Sequence, residues 1–507
     1  MPTRSVDARG SASVRVRGHH CAASGGRGHH PTRAPPQPAS FARVTDPMTS
    51  DDFRRHGRAL IDWLADYWDG LESRRIMPEV APGQIRAMLP ERAPETGEPF
   101  ERILADLDRI VMPGLTHWQS PGWFAYFPSN VSFPSILGEL ASAGLGQQGM
   151  LWQTSPATTE LEATVLDWLV DLMGLPPTWK VAQGPGGGVL QMSASDSTHT
   201  ALVVARTRAA GSASPSRQVA YASRQAHSSV EKGARVAGYG HVRLVDTDDA
   251  LAMDPAALDT AMAEDRAAGL HPSFVCATVG TTGTTAVDPL AAIAPVTRRH
   301  GAWLHVDAAY AGSGMICEEL RHHQAGVEAV DSYTFNPHKW LLTNFDCSVF
   351  WVADRAPLID TMSIVPPYLR NAATDSGEVV DYRDWHVPLG RRFRALKLWF
   401  VLRHYGAEGL RRHVRLHVEQ ATALAARIDA HPRLRTIAPT PFGLVSFVHT
   451  AGNDDTARLA RAINDTGTSY VTTSVLDALA FVRVSIGSTL TTARHVDALW
   501  SVIEREA

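Results

Sequence analysis

A lysine, an aspartate, a histidine and a run of hydroxyls each close a short apolar stretch of this chain. Those four positions could do chemistry together. Lys339 lies in Asp331-Ser332-Tyr333-Thr334-Phe335-Asn336-Pro337-His338-Lys339-Trp340, directly after a β-branched, aromatic run. A lysine partly withdrawn from water loses pKa and becomes the kind of amine that condenses with carbonyl carbon. The alternative is a surface lysine with a snorkelling stem. Asp307 ends Trp303-Leu304-His305-Val306-Asp307 and is followed by small residues. Ligands of doubly wound sheets sit outside the carboxyl ends of strands. Asp307 is therefore placed to hold a metal, a ribose or a ring nitrogen, or to cap the next turn. Gly186-Gly187-Gly188-Val189-Leu190-Gln191-Met192 reads as a glycine-rich turn that runs through Ser193-Ala194-Ser195-Asp196-Ser197-Thr198 into a helix. Free N–H groups at a helix start, beside hydroxyls, make an anion site that suits a phosphate. The glycines do not form a Walker pattern, and an ordinary capped helix is the other reading. His227, in Gln225-Ala226-His227-Ser228-Ser229-Val230, occupies another strand-to-helix turn, where it could stack on a planar ring or serve structure alone.

Taken jointly, the four positions supply a phosphate anchor, a ring stack, an acid for a ring nitrogen and a nucleophilic lysine, in chain order and each at a strand end. That set is what pyridoxal 5′-phosphate (PLP) requires of a protein. An aspartate on the pyridine nitrogen keeps the ring protonated and electron-withdrawing.

The elements that must position them are legible from periodicity. Spacing predicts helices over Asp51–Leu71, with Ser50 or Asp51 as cap, and over 100–110, 135–144 and 158–173. From about Val181, short apolar runs alternate with helical stretches. Strands are predicted at 218–222, 242–245, 273–279, 303–306, 332–335 and 347–352. Helices are predicted at 198–209, 228–237, 255–267 and 290–300. This alternation points to an α/β fold with a buried, mainly parallel sheet. Beyond Arg392 the chain turns helical and then mixed, with short strands near 443–448 and 481–485, which suggests a smaller α+β domain.

At 507 residues the chain has length for a large core and one or two smaller domains. Its net charge of −4 gives no reason to expect nucleic acid or a membrane as partner, and no apolar run is long enough to cross a bilayer. The cysteines, Cys21, Cys276, Cys317 and Cys347, show no metal-ligand spacing; no metal is expected, and a reducing cytoplasm fits best. The first 47 residues differ from the rest, with seven Arg, two Asp and no Lys among Pro, Gly and Ser. They read as a disordered tail without a secretory signal. Met48 is a candidate for the natural start.

With these residues in view, the sequence resembles the group II PLP-dependent decarboxylases, and within them the aromatic-L-amino-acid decarboxylases. The likeness runs from about Met48 to near the C-terminus. It rests on Thr116-His117-Trp118-Gln119-Ser120-Pro121, Phe124-Ala125-Tyr126-Phe127-Pro128, Ala226-His227-Ser228-Ser229-Val230-Glu231, His305-Val306-Asp307-Ala308-Ala309-Tyr310 and Asn336-Pro337-His338-Lys339-Trp340. Asn344-Phe345-Asp346-Cys347 and Pro388-Leu389-Gly390-Arg391-Arg392-Phe393-Arg394 complete it. The resemblance implies PLP fold type I, similar to aspartate aminotransferase. It has a seven-stranded, mainly parallel sheet domain (133–396), an N-terminal helical dimerisation segment (48–132) and a small α+β domain (397–507). It implies a homodimer with sites at the subunit interface.

By resemblance, Lys339 is the lysine that links PLP, Asp307 the partner of its ring nitrogen, His227 the stacking histidine and Thr282 the threonine beside the ring. Ala194, Ser195 and Asn336 are implied phosphate contacts. Trp118, Tyr126, Phe127, Pro128 and Ser129 are the implied substrate wall for an aromatic amino acid. Tyr368, in Pro366-Pro367-Tyr368-Leu369-Arg370, matches the lid tyrosine that returns a proton to the substrate carbon. Related aldehyde synthases carry phenylalanine there and react with oxygen, so Tyr368 favours simple decarboxylation. Ser129 stands where threonine is usual. Gln148 and Met150 replace an apolar and an aromatic residue that the partner subunit would contribute, and Gly390 resembles a pocket glycine of plant members that take indolic substrates. Preference among DOPA, tyrosine, tryptophan and phenylalanine stays open. The rival readings are an aromatic aldehyde synthase, a decarboxylase of a non-aromatic amino acid and a non-catalytic PLP binder.

Overall fold

A computed structural model of the chain describes residues 48–364, 373 and 379–507. Helix α1, Ser50–Asp69, starts from a reciprocal cap. The Thr49 hydroxyl accepts the Asp52 amide at 3.1 Å, and the Asp52 carboxylate accepts the Thr49 amide at 3.1 Å. The cap is therefore Thr49 rather than Ser50 or Asp51. Short helices α2 (Gln84–Met88) and α3 (Phe100–Asp106) follow, the latter continuing as a π-turn over Leu107–Val111. Helices α4 (Phe133–Leu145) and α5 (Pro156–Met173) come next, α4 capped by Ser132 and Ser135.

The large sheet has seven strands: β1 (Gly187–Gln191), β2 (Gln218–Ser223), β3 (His241–Val245), β4 (His271–Thr278), β5 (Trp303–Asp307), β6 (Ser332–Phe335) and β7 (Ser348–Val352). Their order is β1-β7-β6-β5-β4-β2-β3. Strand β7 runs antiparallel to both neighbours, and the remaining pairs are parallel. The carboxyl ends of β1, β2, β4, β5 and β6 thus open on one edge.

One expectation fails here. The triple glycine is not a turn, because Gly187 and Gly188 lie inside β1. A Cβ on Gly188 would stand 2.5 Å from the Trp351 indole nitrogen across the β1–β7 pair. Glycine is present because two backbones and a tryptophan meet there.

Helices cover both faces of the sheet. Val165, Leu166 and Leu169 of α5 belong to the same buried core as Val275, Leu304 and Val306. On the other face, α6 (Ala194–Ala209) and α7 (Ser229–Ala237) bring Leu202, Val204, Val230 and Ala234 against Ala220, Phe274 and Phe350. Phe274 and Val275 of β4 belong to opposite faces, the period of two expected of a buried strand. Helices α8 (Pro255–Ala267) and α9 (Leu290–His300) agree with the sequence reading.

After residue 393 a long helical stretch, Arg394–Ala430, bends at Gly406, whose backbone (φ 62°, ψ 172°) leaves the helical region. A second sheet follows, in the order β10-β11-β9-β8 and antiparallel throughout: β8 (Leu434–Thr436), β9 (Leu444–His449), β10 (Thr472–Leu476) and β11 (Leu479–Ser485). Sequence patterning foresaw β9 and β11. It missed β8, which is three residues long, and β10, which alternates in exposure along an edge.

Candidate active site

A cavity of about 240 Å³ lies at the carboxyl edge of the large sheet, lined by Lys339, Asp307, His227, Thr282, Ala194, Ser195 and Asn336. These are all seven of the residues expected to contact a cofactor, and they come from five separate stretches of chain.

Each is set by local structure. Strand β6 ends at Phe335. Asn336 has extended backbone and Pro337 opens the short helix Pro337–Trp340. Trp340 and Leu341 are fully buried and anchor that turn, so the Lys339 amine is directed into the cavity. Burial pushes the Lys339 amine below its usual pKa; Asp307 opposes this and Arg483 adds to it. Asp307 closes β5, is almost wholly buried, and accepts the Ala309 amide at 2.9 Å through Oδ1. His227 accepts the Ser229 amide on Nδ1 at 3.2 Å, which leaves the ring proton on Nε2. Burial lowers the pKa of His227, against Asp307, so the ring is neutral at pH 7.

The helix start differs from the sequence reading in a way that matters. Helix α6 begins at Ala194, not Thr198. Ser193 caps it, its Oγ accepting the Asp196 amide at 3.2 Å. Ala194 and Ser195 therefore occupy the first turn, where backbone amides have no partner within the helix. That end faces the cavity with the partial positive charge of the helix dipole.

The cavity also holds buried polar atoms in need of partners. Asn336 Oδ1 and Thr278 Oγ1 make no hydrogen bond among the described residues, and both residues line the wall. An amine, a carboxylate, a neutral imidazole, a helix start and two unpaired polar atoms around one cavity fit PLP by the chemistry of their donors and acceptors.

Of the residues expected for the aromatic wall, Phe127 and Tyr126 line two different spaces. Phe127 lines the cavity, stacked on Tyr310 with ring centroids 4.0 Å apart. Tyr310 stacks in turn on Trp340 at 4.8 Å. The other four expected wall residues do not line this cavity. Tyr126 lines a neighbouring open groove of about 870 Å³ and is 52% exposed. Trp118, 38% exposed, stacks on Tyr126 at 5.5 Å. Pro128 lies against the Gly487 backbone, and the Ser129 carbonyl accepts the Gln119 side-chain amide at 2.7 Å. Gln148, expected at a position that serves a partner subunit, accepts the Arg391 amide on Oε1 at 2.8 Å beside Gly390. Tyr368 lies outside the described residues.

Two residues were not singled out from sequence. His338 lines the cavity, and its Nδ1 accepts the Cys347 amide at 3.0 Å, which leaves Nε2–H free to donate. Burial, chiefly, pushes His338 down to about 3. Its place beside Lys339 was the available signal. Arg483, on β11, carried no such signal.

Comparison with known proteins follows the same lines. Residues 82–450 match the pyridoxal-dependent decarboxylase conserved domain. The chain is 42% identical over 479 residues to phenylacetaldehyde synthase of Arabidopsis thaliana, covering 92% of this chain and 98% of that one. It is 43% identical over 472 residues to aromatic-L-amino-acid decarboxylase of Bos taurus, covering 91% and 97%. Its structure superimposes on the crystal structure of Oryza sativa TDC with PLP and tryptamine with a TM-score of 0.89 and 40% identity, covering 91% and 98%.

Proposed function

We propose that this chain, which belongs to the pyridoxal-dependent decarboxylase family, removes the α-carboxylate of an aromatic L-amino acid to give the arylalkylamine and carbon dioxide. That it is a PLP-dependent amino-acid decarboxylase of the aromatic amino-acid decarboxylase family follows from the family match and the relatives. The aromatic substrate and the amine product are the proposal. The observation that carries it is the convergence of Lys339, Asp307, His227 and the start of α6 on one cavity that Phe127 also lines.

Lys339 carries the amine that would hold PLP covalently, and Asp307 the carboxylate for its ring nitrogen. Ala194, Ser195 and Asn336 would take its phosphate. PLP, when bound, supplies a protonated ring that draws electron density from the bonds at the substrate Cα. Breaking the Cα–carboxylate bond leaves its electron pair on the Cα side as carbon dioxide departs, so a proton must return to Cα. Tyr368, by resemblance, is the donor. His227, neutral and with Nε2–H free, suits a relay that hands one proton on and takes another. Phe127 offers a substrate ring an apolar face and keeps water from the Lys339 amine.

A partner subunit is part of the reading. Phe133, Leu137 and Leu140 recur at i, i+4 and i+7 on α4 and are exposed, which supports an apolar contact with a second copy. Cys276, Cys317 and Cys347 are free and buried, in keeping with a cytoplasmic setting.

The second reading is an aromatic aldehyde synthase. Relatives named phenylacetaldehyde synthase in Arabidopsis thaliana and in Petunia hybrida favour it, and Tyr368 weighs against it. The discriminating experiment incubates purified protein and PLP separately with tryptophan, tyrosine, DOPA, phenylalanine and glutamate, and scores amine, aldehyde and peroxide. Amine from an aromatic substrate without matching peroxide is the expected result. Aldehyde with peroxide would establish the second reading, and amine from glutamate alone would refute the aromatic assignment.

A further inference from the structure

Arg483 is a largely buried guanidinium with neutral acceptors around it, at the wall of the groove that adjoins the cavity. It sits on β11, paired with Thr472 of β10 and Ser446 of β9, and is 6% exposed. Its Nη2 donates to the Thr282 carbonyl at 2.7 Å and to the Tyr126 carbonyl at 3.4 Å. Its Nε donates to the Gly283 carbonyl at 3.3 Å and its Nη1 to the Thr472 hydroxyl at 3.2 Å. None of these acceptors is a carboxylate. A buried cation without a counter-ion is costly, and an apolar side chain of similar size would avoid that cost. The fork joins three stretches at one side chain: the tip of the loop after β4, the segment that carries Phe127, and the small sheet; pairwise, Ser446 Oγ also donates to the Gly283 carbonyl at 3.1 Å and the Tyr126 amide to the Thr472 hydroxyl at 3.4 Å.

Two of those stretches are cavity wall. Thr282 and Phe127 both face the space between Lys339 and Asp307. The Arg483 guanidinium and the Lys339 amine each lie 5.3 Å from the centroid of the Phe127 ring. Tyr126, whose carbonyl Arg483 holds, has φ 55°, in the left-handed region that a tyrosine adopts reluctantly. No hydrogen bond fixes the Thr282 side chain among the described residues, so its backbone carbonyl is where that residue is held.

We propose that Arg483 is a positioning residue for this reaction: by gripping the Thr282 and Tyr126 carbonyls it fixes the Thr282 and Phe127 walls against the PLP ring and the Lys339 amine. The proposal rests on reading the cavity as the PLP site. Lysine could keep the charge but not the fan of bonds, because an ammonium is a point charge without a planar fork.

The test uses wild-type, Arg483→Gln and Arg483→Lys holoenzymes. Thermal unfolding gives the folded fraction. Visible circular dichroism of bound PLP at equal occupancy reports how the ring is held, and PLP dissociation constants and the split between kcat and KM complete the readout. In both folded variants the visible dichroism should weaken and the PLP dissociation constant rise about tenfold, as expected for losing one or two charge-assisted hydrogen bonds. The fall in kcat should exceed any change in KM. A merely structural arginine would lower the melting temperature and leave dichroism and dissociation constant at wild-type values, which would overturn the proposal. If Arg483→Gln does not fold, Arg483→Lys decides alone: wild-type dichroism and PLP affinity in that variant overturn the fork, and their loss supports it. Wild-type protein that takes up no PLP would overturn the cavity reading and this proposal with it, a result visible before any variant is made.

Discussion

The Lys339 amine stands 5.3 Å from the centroid of the Phe127 ring, and that ring is itself stacked on Tyr310 at 4.0 Å. The reactive nitrogen is thus walled by an aromatic face that a second aromatic holds in place. Replacing Phe127 by Leu should keep the apolar contact and lose the face. We expect kcat/KM to fall about tenfold or more, the value of an aromatic contact plus a cation–π contact, with the fold intact by circular dichroism. Lys339→Ala should remove turnover while PLP still binds without a covalent link. Wild-type-like turnover in Lys339→Ala would refute the assignment of that amine.

Tyr368 is assigned on sequence likeness, and its role has a product signature. Tyr368→Phe should trade amine for aldehyde and peroxide on the same substrate, read by product chromatography and a peroxide assay. An unchanged amine yield would remove Tyr368 from proton return.

Glu162 and Arg391 form an ion pair at 2.5 Å with neither side chain exposed. Glu162 also accepts the Leu190 amide at 2.8 Å, tying α5 to β1. Removing one partner leaves an uncompensated buried charge, so Glu162→Gln should cost about 3–5 kcal/mol. Chemical denaturation checks this. Changing both residues to Met should cost less than either single change, because no bare charge remains. A double variant worse than both singles would contradict this account.

Acid should destabilise the fold early. Burial pushes His305 to about 4, His338 to about 3, His386 to about 3 and His413 to about 4. In the unfolded chain each would protonate near 6.5. Between about 6.5 and about 4 the unfolded state therefore binds more protons, and stability falls as pH falls. Asp288 works the other way: burial raises it to about 6, so it is protonated when folded and ionised when unfolded between 3.8 and about 6. Burial raises Asp167, Asp196 and Asp331 in the same sense as Asp288, but it also lowers His323, to about 4, and His417, and the lowered histidines outnumber the raised carboxylates, which leaves a net loss. The urea midpoint should drop steadily from pH 7 to pH 4.5, and a flat or rising midpoint would show that these histidines are not buried as described.

Much of this was legible in the sequence, for identifiable reasons. Lys339, Asp307 and His227 each follow a strand whose apolar, β-branched residues announce it, and the turn residues beside them mark where the strand ends. Six strands of the large sheet were found in that way. The seventh, β1, was hidden because Gly187 and Gly188 lack the side chains that signal a strand, and their purpose lies across the sheet at Trp351 and beside it at Trp385. The start of α6 was placed four residues late because Ala194 and Ser195 carry no helical periodicity of their own.

The sequence by itself determined the chemistry, since the residue types at successive strand ends are local features that survive without the fold. It also determined the alternation of strands and helices, because burial on both faces imposes its pattern on every strand. Only the tertiary structure decided which aromatic faces the cavity: Phe127 enters and Tyr126 does not, and the φ of 55° at Tyr126 is not written in its neighbours. It alone decided that Arg483, a charged residue within a strand, is buried against the Thr282 loop. The physical reason is distance along the chain. A turn is fixed by the few residues in it, whereas a hydrogen bond between residues 201 positions apart exists only once two sheets have packed.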